Sequence, residues 1–427
     1  MEAMMKRTKK AIGSWRKVQL GKVVRAASGI GFPKDLQGRS EGVYPVFKVG
    51  DISAAWLRGD KLLAESEHNL TEDLVKQLKG TPLPTGTTVF AKIGEGLKLN
   101  RRMLLARPAL VDNNVMGLIP SDEVHPEYLY LFMTTVDLGE LSQATTVPSV
   151  RKSDIDEIEI PLPPLPEQRR IVAAIETQLG RLDAAVASLH AAKVKLKRYK
   201  QAVLKAAVEG KLTDPDLVEG EIPEGWRIVP VEEVGQIVTG STPSKRVPAY
   251  YGDDHPFYKP PDLEAGYETR ESTDGLTDEG LGQARALPAK SILVTCIGAT
   301  IGKTGLIRIA GACNQQINAI VPNAELVPEY GYFHCISPYF QKQIKDNASA
   351  TTLPLLNKSR FKVLDFILPS MADQLKIVSE VEHRFDRVGE LESSLDTQLW
   401  QASRLRQSVL KRAFEGKLVG GVAPGAP

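Results

Sequence analysis

Gly298-Ala299-Thr300-Ile301-Gly302-Lys303-Thr304 is the stretch of this chain that comes nearest to a phosphate-binding loop. Such a loop needs four residues between its glycines so that successive backbone amides wrap a phosphate, and this one is a residue short. The equivalent Ile93-Gly94-Glu95-Gly96 of the first half has no Lys-Thr pair. A glycine turn that exposes Lys303 is the expected structure. Tyr258-Lys259-Pro260-Pro261-Asp262 carries the two prolines of the Asn/Asp-Pro-Pro-aromatic motif of adenine methyltransferases. Its first and last residues are of the wrong type, and no Phe-x-Gly-x-Gly cofactor loop accompanies it. Serine, histidine and aspartate form no nucleophile elbow or other local triad signature, and His334 beside Cys335 reads as a packed pair. The chain is therefore expected to be non-catalytic by itself, with no cofactor or metal of its own.

The remaining chemistry is that of cations interleaved with aromatic and small polar residues in segments that read as loops. In the first half these are Lys34, Arg39, Lys48, Lys92, Lys98, Arg101, Arg102, Arg151 and Lys152; in the second they are Lys245, Arg246, Tyr258, Lys259, Lys303, Asn357 and Lys358. Singly, each reads as an ordinary solvated group. As a set they are candidates for contact with DNA, where phosphate contacts dominate and a few Arg, Lys, Asn or Gln side chains read base edges. The formal charge is only +2, so such a surface must come from local clustering.

What positions these residues is written twice. Ile171, Val172, Leu189, Gln201, Leu204, Gly210 and Leu212 recur 206 positions later as Ile377, Val378, Leu395, Gln407, Leu410, Gly416 and Leu418. Upstream, Trp15, Val18, Gly29, Pro45 and Asp51 recur as Trp226, Val229, Gly240, Pro256 and Asp262, and Asn114, Pro126 and Tyr128 as Gln316, Pro328 and Tyr330. Ala144-Thr145-Thr146-Val147-Pro148 matches Ala350-Thr351-Thr352-Leu353-Pro354. Stretches between these positions do not match. Two copies of one framework with different variable surfaces imply a pseudo-twofold molecule built to recognise two different things.

Each copy ends in a long apolar seam. Ile175, Leu179, Leu182, Val186, Leu189, Lys193, Leu196, Lys200 and Val203 step by fours and threes, as do Val381, Phe385, Val388, Glu392, Leu395, Leu399, Ala402, Arg406 and Val409. Prolines precede each helix and Gly210 or Gly416 stops it. A narrow seam of roughly 60 Å needs a partner, and an antiparallel pairing of the two helices is expected, with packing of each on its own lobe as the alternative. Leu182, Leu189, Leu196, Val203, Val388, Leu395, Ala402 and Val409 are the residues expected to hold the coiled coil or a docked partner. Lys193, Lys195, Lys197, Arg198, Lys200 and Lys205 form a basic run that reads either as a solvated face or as a dock for an acidic partner.

The organisation that follows is an α+β chain with two lobes of short strands, turns and one short helix each (near Pro126–Thr135 and Pro328–Ser337). The expected boundaries are an N-terminal tail (1–14), a first recognition lobe (15–162), a first helix (163–212), a linker (213–225), a second lobe (226–368), a second helix (369–418) and a flexible tail (419–427). At 427 residues, 42% hydrophobic and 25% charged, the composition is that of a soluble globular protein. No apolar run approaches a membrane span and the start lacks a signal-peptide core, so no membrane partner and a cytoplasmic location are expected. Cys296, Cys313 and Cys335 have neither disulfide nor zinc spacing.

In the lead-in Leu162-Pro163-Pro164-Leu165-Pro166-Glu167-Gln168-Arg169-Arg170-Ile171-Val172, the twin exits Gln201 to Leu212 and Gln407 to Leu418, and Asn314-Gln315-Gln316-Ile317-Asn318-Ala319-Ile320, the chain resembles a specificity subunit of a type I restriction-modification system. The resemblance covers nearly the whole chain. It implies two target-recognition domains, each reading one half of an asymmetric bipartite site on double-stranded DNA, and two helices that act as a spacer and as a dock for two modification subunits. It also implies that catalysis, S-adenosylmethionine, ATP and Mg belong to the modification and restriction subunits. The first lobe departs from the second at Asp112-Asn113-Asn114 and at Lys48-Val49-Gly50-Asp51, so individual DNA contacts do not transfer. The competing reading is a coiled-coil scaffold whose lobes bind proteins.

Overall fold

The computed structural model describes residues 15–142, 147–218, 220–349 and 353–418. The two expected tails and most of both Ala-Thr-Thr segments lie outside the described residues. Each lobe is closed by its own ends. Arg16–Gln19 pairs antiparallel with Glu159–Leu162, and Arg227–Pro230 pairs antiparallel with Asp365–Leu368. Between them lies a main sheet ordered Val24–Ser28, Val115–Pro120, Thr88–Ala91, Arg102–Leu105, Leu62–Leu63 in the first lobe and Gly235–Thr239, Ile317–Pro322, Ile292–Thr295, Thr304–Leu306 in the second. A small three-stranded sheet accompanies each, centred on Tyr44–Phe47 or Tyr251–Tyr258.

The repeated framework residues explain these shapes. At Gly29 a Cβ would lie 1.9 Å from the Asp112 carbonyl oxygen, and at Gly240 it would lie 2.1 Å from that of Asn314, so only glycine allows the first strand to leave the sheet there. The Asp51 and Asp262 carboxylates each accept a backbone N–H, from Lys48 and Lys259, at 2.7 Å. That bond starts the helix Val49–Arg58 in one lobe and a 3-10 turn from Asp262 in the other. Gln168 is fully buried; its amide accepts from His125 N–H at 2.8 Å and donates to the Glu123 and Pro163 carbonyls. Gln374 repeats this with Val327, Glu325 and Pro369. Each long helix is thus locked to its lobe at its first turn.

The long helices run Leu165–Val208 and Met371–Phe414, 44 residues each, and stop where Gly210 and Gly416 take φ of 80° and 70°. The chain divides into two compact units, residues 1–188 with 398–427, and residues 189–397. In the first unit Val409, Leu410 and Ala413 of the second helix share a core with Ile171, Tyr128 and Phe132, and Phe414 meets the Tyr128 and Phe132 rings edge-on at 5.1 and 5.4 Å. In the second unit Val203, Leu204, Ala207 and Val208 of the first helix join Trp226, Tyr330 and Ile377. The alternative of helices packed only on their own lobes does not hold.

Within each unit the helices pair antiparallel. Lys193 meets Asp396 at 2.6 Å and Lys200 meets Glu392 at 2.8 Å in the second unit, and Arg406 meets Asp183 in the first. The charged breaks in the seams are therefore cross-helix pairs. Being partly exposed, each stabilises by only about 0.2–1 kcal/mol; their larger effect is on register. Val203, Val388, Ala402 and Val409 are buried, and Leu182, Leu189, Leu196 and Leu395 half-buried.

One difference between the lobes shows how tightly the framework is coupled. In the second lobe buried His334 stacks on Phe366 and its Nε2 accepts the Ile367 N–H at 3.1 Å. The corresponding residues of the first lobe are Phe132 and Pro161, where no N–H exists to be satisfied. His334→Phe should therefore leave the Ile367 N–H unpaired and destabilise the second unit by about 1–3 kcal/mol, and adding Ile367→Pro should restore much of the loss. Burial pushes the His334 pKa down to about 3. With the folded value depressed, stability is complete above the unfolded value near 6.5 and falls as pH drops from there toward 3. Urea titrations at pH 7.5 and 5 check both points; equal acid sensitivity in wild type and the double variant would show that His334 is not the cause.

Candidate nucleic-acid interface

At one end of the first lobe's sheet several segments converge on Lys92. Its Nζ donates to Ser28 Oγ at 3.0 Å, its backbone N–H to the Asn114 carbonyl at 2.8 Å, and its own carbonyl accepts from Val150 N–H at 3.0 Å. Gly94 N–H reaches the Pro148 carbonyl at 2.8 Å, which brings exposed Arg151 and Lys152 alongside. Lys48 Nζ donates to Gln37 Oε1 at 3.0 Å. Burial raises the Asp112 carboxyl above its usual range, against the opposing hydrogen bonds from Asn114 and the nearby charge of Lys48. Lys34 and Arg39 are exposed on the adjoining loop. Cations, a carboxylate and an amide thus share one edge.

The second lobe repeats the arrangement with other side chains. Cys296 N–H donates to the Gln316 carbonyl at 2.7 Å, the Cys296 carbonyl accepts from Leu356 N–H at 2.8 Å, and Gly298 N–H reaches the Pro354 carbonyl at 3.0 Å. Thr242 hydrogen bonds Gln315, Asn314 Nδ2 donates to Gln316 Oε1 at 2.9 Å, and Asn357 caps the short helix Lys358–Phe361. Lys245 and Arg246 are exposed in the loop after Gly240. Lys259 is paired with Asp274 and Lys303 with Glu264. The Gly298 to Gly302 segment joins two antiparallel strands and leads into no helix, so it is a hairpin turn and not a phosphate loop.

Two candidates are corrected. Tyr258 is wholly buried beneath Gly311, with its hydroxyl on the Ile309 carbonyl at 3.0 Å and its pKa pushed up to about 12 by burial. Arg102 is 2% exposed; it donates to the Asn100 and Val136 carbonyls, and burial lowers its pKa to about 10. Both are structural. Lys98 pairs with Glu95 at 2.9 Å and Arg101 lies over the Trp56 ring at 5.1 Å; neither makes a polar contact with the converging segments. Of the basic run on the first helix, Lys193 and Lys200 are used in cross-helix pairs, whereas Lys195, Lys197 and Arg198 are exposed. The sequence reading missed Ser28, Thr242, Gln315 and Gln316 as members of the edge. Their signal was adjacency to the repeated Gly29 and Gly240 and to Asn314.

Among the described residues no group of His, Cys, Asp and Glu could hold a metal ion, and no helix is long and apolar enough to cross a membrane. The family described as "Type I restriction modification DNA specificity domain" matches residues 13–189 and again 223–399. The type I restriction enzyme HindI specificity subunit of Haemophilus influenzae is 34% identical over 200 residues, 46% of this chain and 42% of that protein. The EcoBI specificity subunit of Escherichia coli is 25% identical over 434 residues, 95% of this chain and 86% of the relative. In fold, the chain is similar to one from a structure on complex assembly and conformational transition of the type I R-M system, with a TM-score of 0.70 at 20% identity over 95% of this chain and 98% of the other. It is also similar to the HsdS subunit from Thermoanaerobacter tengcongensis, with a TM-score of 0.54 at 20% identity over 95% and 97%.

Proposed function

We propose, from the premise that this chain belongs to the type I restriction-modification DNA specificity family, that each lobe reads one half of an asymmetric bipartite DNA site through its converging edge. The long helices dock two modification subunits, restriction subunits join that assembly, and S-adenosylmethionine, ATP and Mg are held by those partners in the cytoplasm. Catalysis lies with the partners. The observation that carries this reading is which edge residues repeat. Lys34, Lys48 and Lys152 correspond to Lys245, Lys259 and Lys358, whereas Lys92, Asp112, Asn114 and Arg151 correspond to Cys296, Asn314, Gln316 and Asn357. Repeated cations suit the phosphate backbone, which is alike in every sequence, and varied polar groups suit base edges, which differ.

With a formal charge of +2 the chain alone has few counterion-releasing contacts to offer. It is expected to bind DNA weakly and to gain affinity and specificity with its modification subunits. Titrating a labelled duplex at two salt concentrations, with and without those subunits, checks this; each phosphate contact adds about 0.9 to the slope of log affinity against log salt. Tight, specific binding by the chain alone would count against the proposed division of labour. Salt-insensitive binding in both cases would favour a protein-binding scaffold.

A further inference from the structure

The second lobe has a helix with no counterpart among the described residues of the first. Helix Pro338–Asn347 is capped by the Ser337 hydroxyl and anchored by buried Phe340 and Ile344, four residues apart on one face. Gln341 Nε2 donates to the Gly302 carbonyl at 2.8 Å, and Gln343 makes two bonds to the Asp365 backbone. The helix is thus fixed between the Lys303 turn and the closing strand. Arg360, on the short helix that follows Asn357, donates one bond to the Asn347 carbonyl at 3.3 Å, which places it beside the end of this helix.

Three exposed cations lie on these two helices, Lys345 two residues before Asn347, and Lys358 two residues before Arg360. Lys342 is paired with Asp346 and Lys362 with Glu232. Lys345, Lys358 and Arg360 have no carboxylate partner among the described residues, and the single bond of Arg360 leaves most of its five N–H donors free. In the first lobe Lys152 keeps the position of Lys358, but the other two cations have no counterpart. The position of Arg360 is Asp154, whose carboxylate accepts Arg151 N–H at 2.8 Å, and the turn there carries Asp137 and Glu140. Cations without a carboxylate partner, beside the edge that carries Gln316 and Asn357, complement a phosphate backbone.

We propose that Lys345 and Arg360, which have no cationic counterpart in the first lobe, extend the shared Lys358 position into a phosphate-anchoring patch that holds the DNA backbone flanking the second half-site. The proposal rests on the DNA reading above and adds an asymmetry to it: one lobe grips the backbone more firmly than the other. The patch carries no sequence information, so its loss weakens every complex alike.

The test compares the wild-type complex with modification subunits against Lys345→Ala/Lys358→Ala/Arg360→Ala on two duplexes, one with the methylated sequence and one unrelated, across a salt series. The expected result is about tenfold or greater weakening on both duplexes and a salt slope smaller by about 2–3. The thermal midpoint and the methylated sequence should stay unchanged, and Lys345→Arg/Lys358→Arg should retain the wild-type slope. An alanine variant as tight and as salt-sensitive as wild type would overturn the patch while leaving the DNA reading intact. So would unchanged DNA binding by the variant with loss of co-purifying modification subunit, since the face would then be a protein dock. A wild-type complex without salt-dependent duplex binding would overturn both.

Discussion

Replacing residues 226–368 with the corresponding lobe of a relative is expected to change one half of the methylated sequence completely and to leave the other half intact. The closing strand pair Arg227–Pro230 with Asp365–Leu368 isolates the lobe as a graft, and the Gln374 bonds to Glu325, Val327 and Pro369 show which contacts the graft must keep. Methylome sequencing of the swapped strain reads the outcome. A change in both halves, or in neither with methylation intact, would mean that the lobes do not read DNA independently. Within one lobe the effects should be smaller. Gln316→Ala should cost about 1–3 kcal/mol and relax one position if Gln316 reads a base.

Inserting four residues after Leu189 alone is expected to abolish assembly or alter target spacing. Each long helix leaves one compact unit and enters the other, the first between Ser188 and Leu189 and the second between Thr397 and Gln398. Four residues lengthen a helix by about 6 Å and rotate it by about 40°, so one altered helix no longer matches its antiparallel partner. Matched insertions after Leu189 and after Thr397 should be better tolerated and should shift the recognised spacing by about two base pairs at roughly 3.4 Å each. The methylated sequence of the doubly inserted variant decides this. Unchanged spacing with full activity would remove the idea that the helices set it.

Much of this architecture was legible in the sequence because two independent signals agreed. The seam residues recur in both copies, and both proline lead-ins and both glycine stops fall where the helices begin and end. Strands such as Thr88–Ala91 and Ile317–Pro322, and the helices beginning at Pro126 and Pro328, follow from short β-rich runs and from proline at a first helical position. The edge was less legible. Of the adjacent Arg101 and Arg102, one lies on Trp56 and the other is buried under Val136, and nothing local distinguishes them. Tyr258 reads as a loop aromatic until its strand pairs in parallel with Ala312–Cys313, a long-range contact no periodicity encodes. Helix Val49–Arg58 beyond Asp51, and helix Pro338–Asn347, lie in the unrepeated stretches, where one copy cannot inform the other. The division into two units, each containing the far end of the other's helix, depends on tertiary pairing alone.

The central claim, one converging edge per half-site, is tested most directly by cross-linking. Cys296, Cys313 and Cys335 are buried, and burial raises all three thiols, the first two to about 12, so an introduced surface cysteine can be labelled selectively. Ser28→Cys and Thr242→Cys each place one at an exposed position on an edge. Carrying a thiol-linked photocross-linker and assembled with modification subunits on a duplex bearing the methylated sequence, the first should react within one half-site and the second within the other. Adducts of both variants in the same half-site, or yields no higher than on an unrelated duplex, would contradict the account.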